Sequence, residues 1–577
     1  MSLRLTFLLT LCILSTQFSN GQSVYAPLNT DYQHLIDRLE IKQNRLADRL
    51  FTSVKPYERK AIAALADSTM LDSSTKWSGV DRFNLSYLTA DNPEWTQNKD
   101  ANIGKYNWRG VFRNKASLLS YSDKDFDVHA NIVGYGQLGR DQETNYRQYI
   151  NTRGVELRGM VDKRVGFYTF ITENQIFYPG YVTQFIRDHG AVPHEGFWKP
   201  FGSAPANQRQ NGVDFFTGRG YITASITKHI HAQFGHDRHF FGNGLRSMIL
   251  SDFANNYTFL KLNTNVWKLN YTNLFAQMFT RLDRFESSGS PKSQRIPKKY
   301  FALHQLSLNI TKNLNIGIFE SIVFGRTDPN QKGVYDISYL NPLIFYRAIE
   351  QNNGSPDNAV LGADLKWNFL NHFSLYSQIV LDEFLLSEVR QNRGWWGNKN
   401  AFQVGLKWID VIGVRNLDMQ VEYNHARPYT YQHSDAFTDY SHYNQALAHP
   451  MGANFREVMF VARYQPINRL RFSLKTFVNK MGEDTVKFNN EVVSWGQNPM
   501  VSYNRRKQEF NNSIGQGIST TIVFAEFTAS YMLFHNFYMD IQMLMRRKES
   551  AKASRNMNTR FISASIRWNI PHRNQEF

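Results

Sequence analysis

The stretch Arg390-Gln391-Asn392-Arg393-Gly394-Trp395-Trp396-Gly397-Asn398-Lys399 sets two flat indoles among guanidinium, amide and ammonium groups. Residues of these types bind sugars. Apolar ring faces lie on aromatic planes, and hydroxyls bond to amides and guanidinium groups. Arg390, Arg393, Trp395, Trp396 and Asn398 are therefore candidate ligand-binding residues. The competing reading makes Trp395 and Trp396 interfacial aromatics of a membrane protein. The loop Tyr429 to Tyr443, rich in aromatics, has the same two readings.

Catalysis has less to work with. Asp382 and Glu383 in VLDEF form the densest acidic spot, but neighbours on a strand point to opposite faces and cannot share one site. The 16 histidines are scattered, and none has zinc-ligand spacing beside an acid. His229 and His231 share a strand face, an arrangement suited to hydrogen bonding. With no nucleophile–base pair assembled, the expectation is a non-enzymatic protein that needs no metal and no cofactor.

The elements that must position these residues are hairpins. In LSLNITKNLNIGI, Leu306, Leu308 and Ile310 alternate with polar residues. The chain turns at Thr311 to Asn313, and Leu314, Ile316 and Ile318 alternate again. Period-2 alternation around a short polar break is a hairpin signal. Seven further breaks follow the same pattern, at Asp162 to Arg164, Thr227 to His229, Trp267-Lys268, Leu370 to His372, Asn468-Arg469, His535-Asn536 and, slightly longer, before Leu417. The connections between these hairpins are long, as in Phe177 to Gln210, Arg281 to Lys299, Gly325 to Asn358, His425 to Phe455 and Lys480 to Asn511. Tight turns at one end and long loops at the other are the layout of an outer-membrane β-barrel. A soluble β-sandwich has no reason to sort its loops this way.

Composition agrees. No Gly/Ser/Pro-rich linker divides the 577 residues. The mean hydropathy of -0.47 hides alternating strands, because half of each is polar. Aromatics at 14% suit interfacial girdles. Eight turns with both chain ends on their side imply about 18 strands, and a ninth turn at Ser122 to Asp125 would make about 20. The last strand, TRFISASIRWNI, has an apolar face that suits closure against the first.

The N-terminus adds two segments. Residues 1–21 read as a secretory signal peptide with cleavage after Gly21, which removes Cys12, the only cysteine. Residues 22–72 are helical in character, with Leu35, Ile36 and Leu39 on one face and a second helix near Pro56. They are expected to form a periplasmic segment that docks a partner, caps the barrel or merely tethers it. Residues 73–577 are expected to be the barrel.

The net charge is +17, but a barrel at the cell surface is not placed to meet nucleic acid. Outer-membrane lipid, acidic glycans and periplasmic proteins suit it better.

Three stretches, YLNPLIFYRAIEQNNGSPDNAVLGADLKWNF (339–369), SEVRQNRGWWGNKNAFQVGLKW (387–408) and HYNQALAHPMGANFREVM (442–459), resemble the Wzi-like outer-membrane proteins of Bacteroidota, a group that includes gliding-motility relatives of the RemB kind. FGHDRHFFGNGLRSMILSDFA (234–254) looks like the family's Gly-rich segment before a Leu/Ser strand, with Phe240-Phe241 where a Trp-Gly step is expected. The resemblance implies an 18-stranded barrel with a small periplasmic helical part. It also implies capsular polysaccharide binding or assembly, or gliding motility. A subunit of a secretion or assembly machine and a diffusion porin are the alternatives. His449 and Asn454 lie in the third stretch, either as binding residues or as residues that shape a loop.

Overall fold

The computed structural model describes residues 23–97, 114–143, 147–201, 212–280, 296–325, 335–343, 346–354 and 356–577. Residues 1–21, expected to be a signal peptide, lie outside the described residues.

Eighteen antiparallel strands close into one barrel. They are β1 Phe126–Asp141, β2 Arg147–Val161, β3 Val165–Phe177, β4 Gly212–Ser225, β5 Ile230–Asp237 and β6 Tyr257–Val266. Next come β7 Leu269–Phe279, β8 Lys298–Asn309, β9 Leu314–Phe324, β10 Asn358–Phe369, β11 Phe373–Glu383 and β12 Lys399–Trp408. The last six are β13 Leu417–Ala426, β14 Phe455–Ile467, β15 Leu470–Glu483, β16 Ile518–Phe534, β17 Phe537–Ser550 and β18 Met557–Trp568. All eight expected tight turns join consecutive strands at one end. Asp162-Lys163 and Leu370-Asn371 hold φ above +50°, as two-residue type I′ turns require. β18 pairs with β1 from Phe561↔Asp141 to Trp568↔Gly134, which leaves no open edge there. The hairpin at Ser122 to Asp125 exists, but its outer strand is only Leu119–Ser122, so it adds none to the 18.

The greasy face looks outward. Ile318 is 48% exposed, whereas Ser307 is fully buried. On β17 and β18, Met539, Ile541, Met543, Ile562 and Ile566 face out while Asp540, Gln542, Ser563 and Arg567 face in. An apolar outer wall around a polar interior is stable only with hydrocarbon outside. No helix among the described residues is long and apolar enough to cross a membrane.

Three N-terminal helices close the turn end. α1 (Thr30–Gln43) starts where Asn29 accepts from the Asp31 and Tyr32 amides, at 3.0 and 3.3 Å. Leu35, Ile36 and Leu39 are buried against α2 (Arg59–Leu71), which begins three residues after Pro56. α3 (Gly79–Asp91) lies beyond the expected boundary at residue 72, and the first barrel strand begins only at Phe126. Ser78 and Asp81 form a capping box there, a signal that SGVD already carries.

The lumen is filled. Val54-Lys55 pairs with Phe240-Phe241 inside it. The segments 238–256 and 427–454 fold inward from the loop end, where the Tyr431 and Tyr440 hydroxyls donate to the Met248 and Ile249 carbonyls at 2.7 and 2.8 Å. The Leu/Ser stretch after the Gly-rich segment is therefore no barrel strand. Its Met248, Ile249 and Leu250 are buried in the core. Residues 569–577 turn back up the lumen, and the Tyr181 hydroxyl donates to the Gln575 carbonyl at 2.8 Å.

One long connection behaves differently from the rest. Tyr300, His304, Glu320 and Phe324 sit at outward-facing positions of β8 and β9 yet are buried. Residues 335–343 and 346–354 cover them. They include a helix from Tyr346 to Asn353, whose Tyr346 and Arg347 amides donate to the Glu320 carboxylate at 2.7 and 2.8 Å. They lie along the outer wall as far as Tyr271, two residues from the start of β7, instead of standing over the mouth.

Candidate functional site

The candidate residues 390–398 fall in the connection between β11 and β12, at the loop end. A short helix, Leu386–Gln391, leads to Asn392, whose φ of 50° stops it. The chain then pairs with a second loop. The Asn511 amide donates to the Arg393 carbonyl at 2.8 Å, the Asn512 amide to Gly394 at 2.9 Å, and the Trp396 amide to Glu509 at 2.9 Å. Gly394 is needed here. Its φ is +65°, and a Cβ would sit 2.8 Å from the Asn512 nitrogen.

This pairing gathers aromatics and cations. Trp396 stacks obliquely on Tyr503 at 4.9 Å between centroids and meets Tyr429 edge-on at 6.2 Å. The Arg506 guanidinium lies 4.5 Å over the Trp396 ring, and the Lys399 ammonium lies 4.6 Å over Tyr503. Trp395 is 6.0 Å from Trp396. Both tryptophans are half-buried against loops, not on the outward face of a strand. Arg390 and Arg393 are exposed; Arg393 pairs with Glu388 at 2.5 Å and covers Phe510 at 4.6 Å. Burial, helped by Lys399, pushes the neighbouring His433 down to about 4, so it is neutral at pH 7.

The other candidates lie inside the protein. Asn398 is buried and accepts the Leu385 amide at 3.0 Å. His449 is fully buried, 2.9 Å from Glu457 and stacked on Phe455. Asn454 is fully buried, with φ of 55°; its amide group donates to the carbonyls of Gly482, Trp495 and Gln516 and accepts from the Gly515 amide. It ties the end of its own loop to the end of β15 and to the connection that follows. Asp382 faces inward and accepts the Tyr431 amide at 2.7 Å, while Glu383 holds Lys399 at 3.0 Å. Among the described residues no group of His, Cys, Asp and Glu is disposed to hold a metal.

The model of the capsule assembly protein Wzi family matches residues 173–525. The chain belongs to the Wzi family. Among solved structures, Wzi of Escherichia coli, described as an outer-membrane protein involved in group 1 capsule assembly and a carbohydrate-binding β-barrel, superposes with a TM-score of 0.55 at 13% identity. The match covers 96% of this chain and all of that one, and it is a likeness of fold. OprD of Pseudomonas aeruginosa superposes more loosely, with a TM-score of 0.41 and 9% identity over 76% of this chain and 94% of that one. No curated protein matches in sequence. Family and fold together make this Wzi-family chain an integral outer-membrane barrel.

Tyr503 and Arg506, which complete the Trp396 cluster, were not legible in advance. They stand more than a hundred residues away in a loop without alternation. The one available signal was the density of cations and aromatics in SYNRRKQEF.

Proposed function

We propose that this protein holds surface polysaccharide at its loop end, as a binding rather than a catalytic protein, and so serves capsule assembly. The observation that carries this reading is the Trp396–Tyr503–Arg506 cluster, set by backbone pairing between two loops above a filled barrel. A sugar ring would lie on an indole face, with hydroxyls or carboxylates on Arg390, Arg393 and Arg506. The filled lumen speaks against the porin alternative. Neither family nor fold adds support for gliding motility or for a machine subunit.

The direct test is binding of a surface-polysaccharide fraction to the purified protein. Trp395→Ala with Trp396→Ala removes aromatic faces worth about 1–3 kcal/mol, which is roughly a 5- to 150-fold loss of affinity. Normal binding with early melting would assign the tryptophans to packing alone.

The reading also needs the loop end outside and the N-terminal helices in the periplasm. Cysteines at Gly354 and Arg390, both exposed, should react with an impermeant thiol label on whole cells. Cysteines at Lys312, Asn371 and Arg469 in the tight turns should be shielded. The reverse pattern would discard the surface role.

A further inference from the structure

The lumen keeps an internal space of about 150 Å³, walled by the start of α1, by β3, β4, β14 and β15, and by residues 570–577. Its wall is rich in guanidinium groups that the rest of the protein satisfies only in part. Arg219, on β4, is 9% exposed and lies 4.3 Å over the Phe170 ring. Among the described residues it has no hydrogen bond and no carboxylate within 4 Å, and its Nε lacks an acceptor. Arg238 donates to the His194 carbonyl at 2.8 Å, but its buried Nε has no partner. Arg573 reaches Asn174, with an Nε likewise unpartnered and the Glu195 carboxylate no nearer than 3.9 Å. Arg463 has only the Gln420 side chain, at 3.4 Å. Of the lining carboxylates, Glu576 is taken by Lys475, while Asp31 and Asp252 stand outside ion-pair distance of these arginines.

Burying a guanidinium without a matched acceptor is costly, and a structural core pairs or replaces such groups. Several in one wall make a site selective for oxygens that accept two parallel N–H bonds. We propose that this cavity binds a compact oxyanion, the carboxylate of a single acidic sugar residue or a phosphate group. More basic residues lie towards the turn end. A second cavity of about 80 Å³ shares Asp31, Arg463 and Lys475 with the first and adds Arg471. It shares Asn416 and Tyr464 with an open cleft between α3 and the turns that carry Arg415 and Arg469. The site would act independently of the tryptophan loop.

Isothermal titration of the purified full chain in detergent, at fixed ionic strength, tests this with glucuronate, inorganic phosphate and neutral glucose. One class of site is expected for an anion and none for glucose. Arg219→Gln should weaken the binding at least tenfold, and Trp395→Ala should leave it unchanged. Tighter binding of glucuronate assigns the site to an acidic sugar, and tighter binding of phosphate assigns it to a phosphate group. Arg463→Gln, at a half-buried position facing the cavity, gives the same reading should Arg219→Gln fold poorly. Binding of neither anion, or binding indifferent to both substitutions, overturns the proposal. Failure of the polysaccharide test at the loop end would leave it standing.

Discussion

The Lys366 ammonium of β10 lies 2.9 Å from the Asp37 carboxylate of α1, across 329 residues of sequence. It also donates to Glu40 at 2.6 Å and to Thr52 at 2.9 Å, while Lys407 takes the other Asp37 oxygen at 2.6 Å. Burial would raise the Asp37 pKa, but Lys366 and Lys407 hold it well below the usual carboxylate range. The helices are thereby ionically locked to the inner wall. Lys366→Met should leave two buried carboxylates short of a cation, at a cost of about 3–5 kcal/mol. Planar-bilayer recordings should then show channel openings that the wild type lacks; a silent variant would mean that the plug does not depend on this lock.

The same interface gives a pH dependence. Asp81 of α3 is buried, which alone would raise its pKa, yet Arg38 at 2.9 Å and Lys42 at 2.6 Å hold it at about 2. A depressed carboxylate binds fewer protons folded than unfolded. Its contribution is complete above the ordinary value of about 4 and is lost as pH falls towards 2, roughly 2–3 kcal/mol in all. Protease access to residues 44–97 should rise over that window, and Asp81→Asn should weaken the plug at neutral pH while flattening the dependence.

Asn454 is expected to act through the loops and not through a ligand. Asn454→Ala strands three carbonyls and one amide in the interior, costing about 1–3 kcal/mol for each group left unpaired. Limited proteolysis should cut first within 484–517, and any loss of polysaccharide binding should accompany that cleavage. Lost binding with intact loops would instead make Asn454 a contact residue.

Glu320 faces the lipid side of β9 but caps the helix from Tyr346 to Asn353. Glu320→Ala removes that cap and should release residues 335–343 and 346–354 from the outer wall. A spin label at Ala348, which is exposed, should become more mobile, whereas the barrel ladder should keep its thermal stability.

Much of this architecture was readable along the chain. A strand shows alternate side chains to opposite faces, so Leu306, Ser307 and Leu308 reveal their order without reference to any other strand. The turns are equally local, because Asp162-Lys163 or Leu370-Asn371 needs only its own backbone to reverse. Turn spacing then counted the strands, and loop length sorted the two ends. The amphipathic face of α1 was local too, as was the capping box at Ser78 that the expected boundary overlooked.

The rest depended on distance in space. Nothing near Lys366 announces that Asp37 and Glu40 will neutralise it, and nothing near Glu320 announces a helix on its lipid side. Alternation has nothing to say of the loops, yet 238–256 and 427–454 form the core of the lumen, and 335–343 with 346–354 cover the wall. Trp395 and Trp396 were visible as residue types; that Trp396 sits against Tyr503 and under Arg506 follows from two loops pairing across more than a hundred residues. Local backbone geometry determined strands, turns and their number. Burial decided the interior, because a charge or an aromatic ring removed from water must find its partner wherever the closed barrel brings one near.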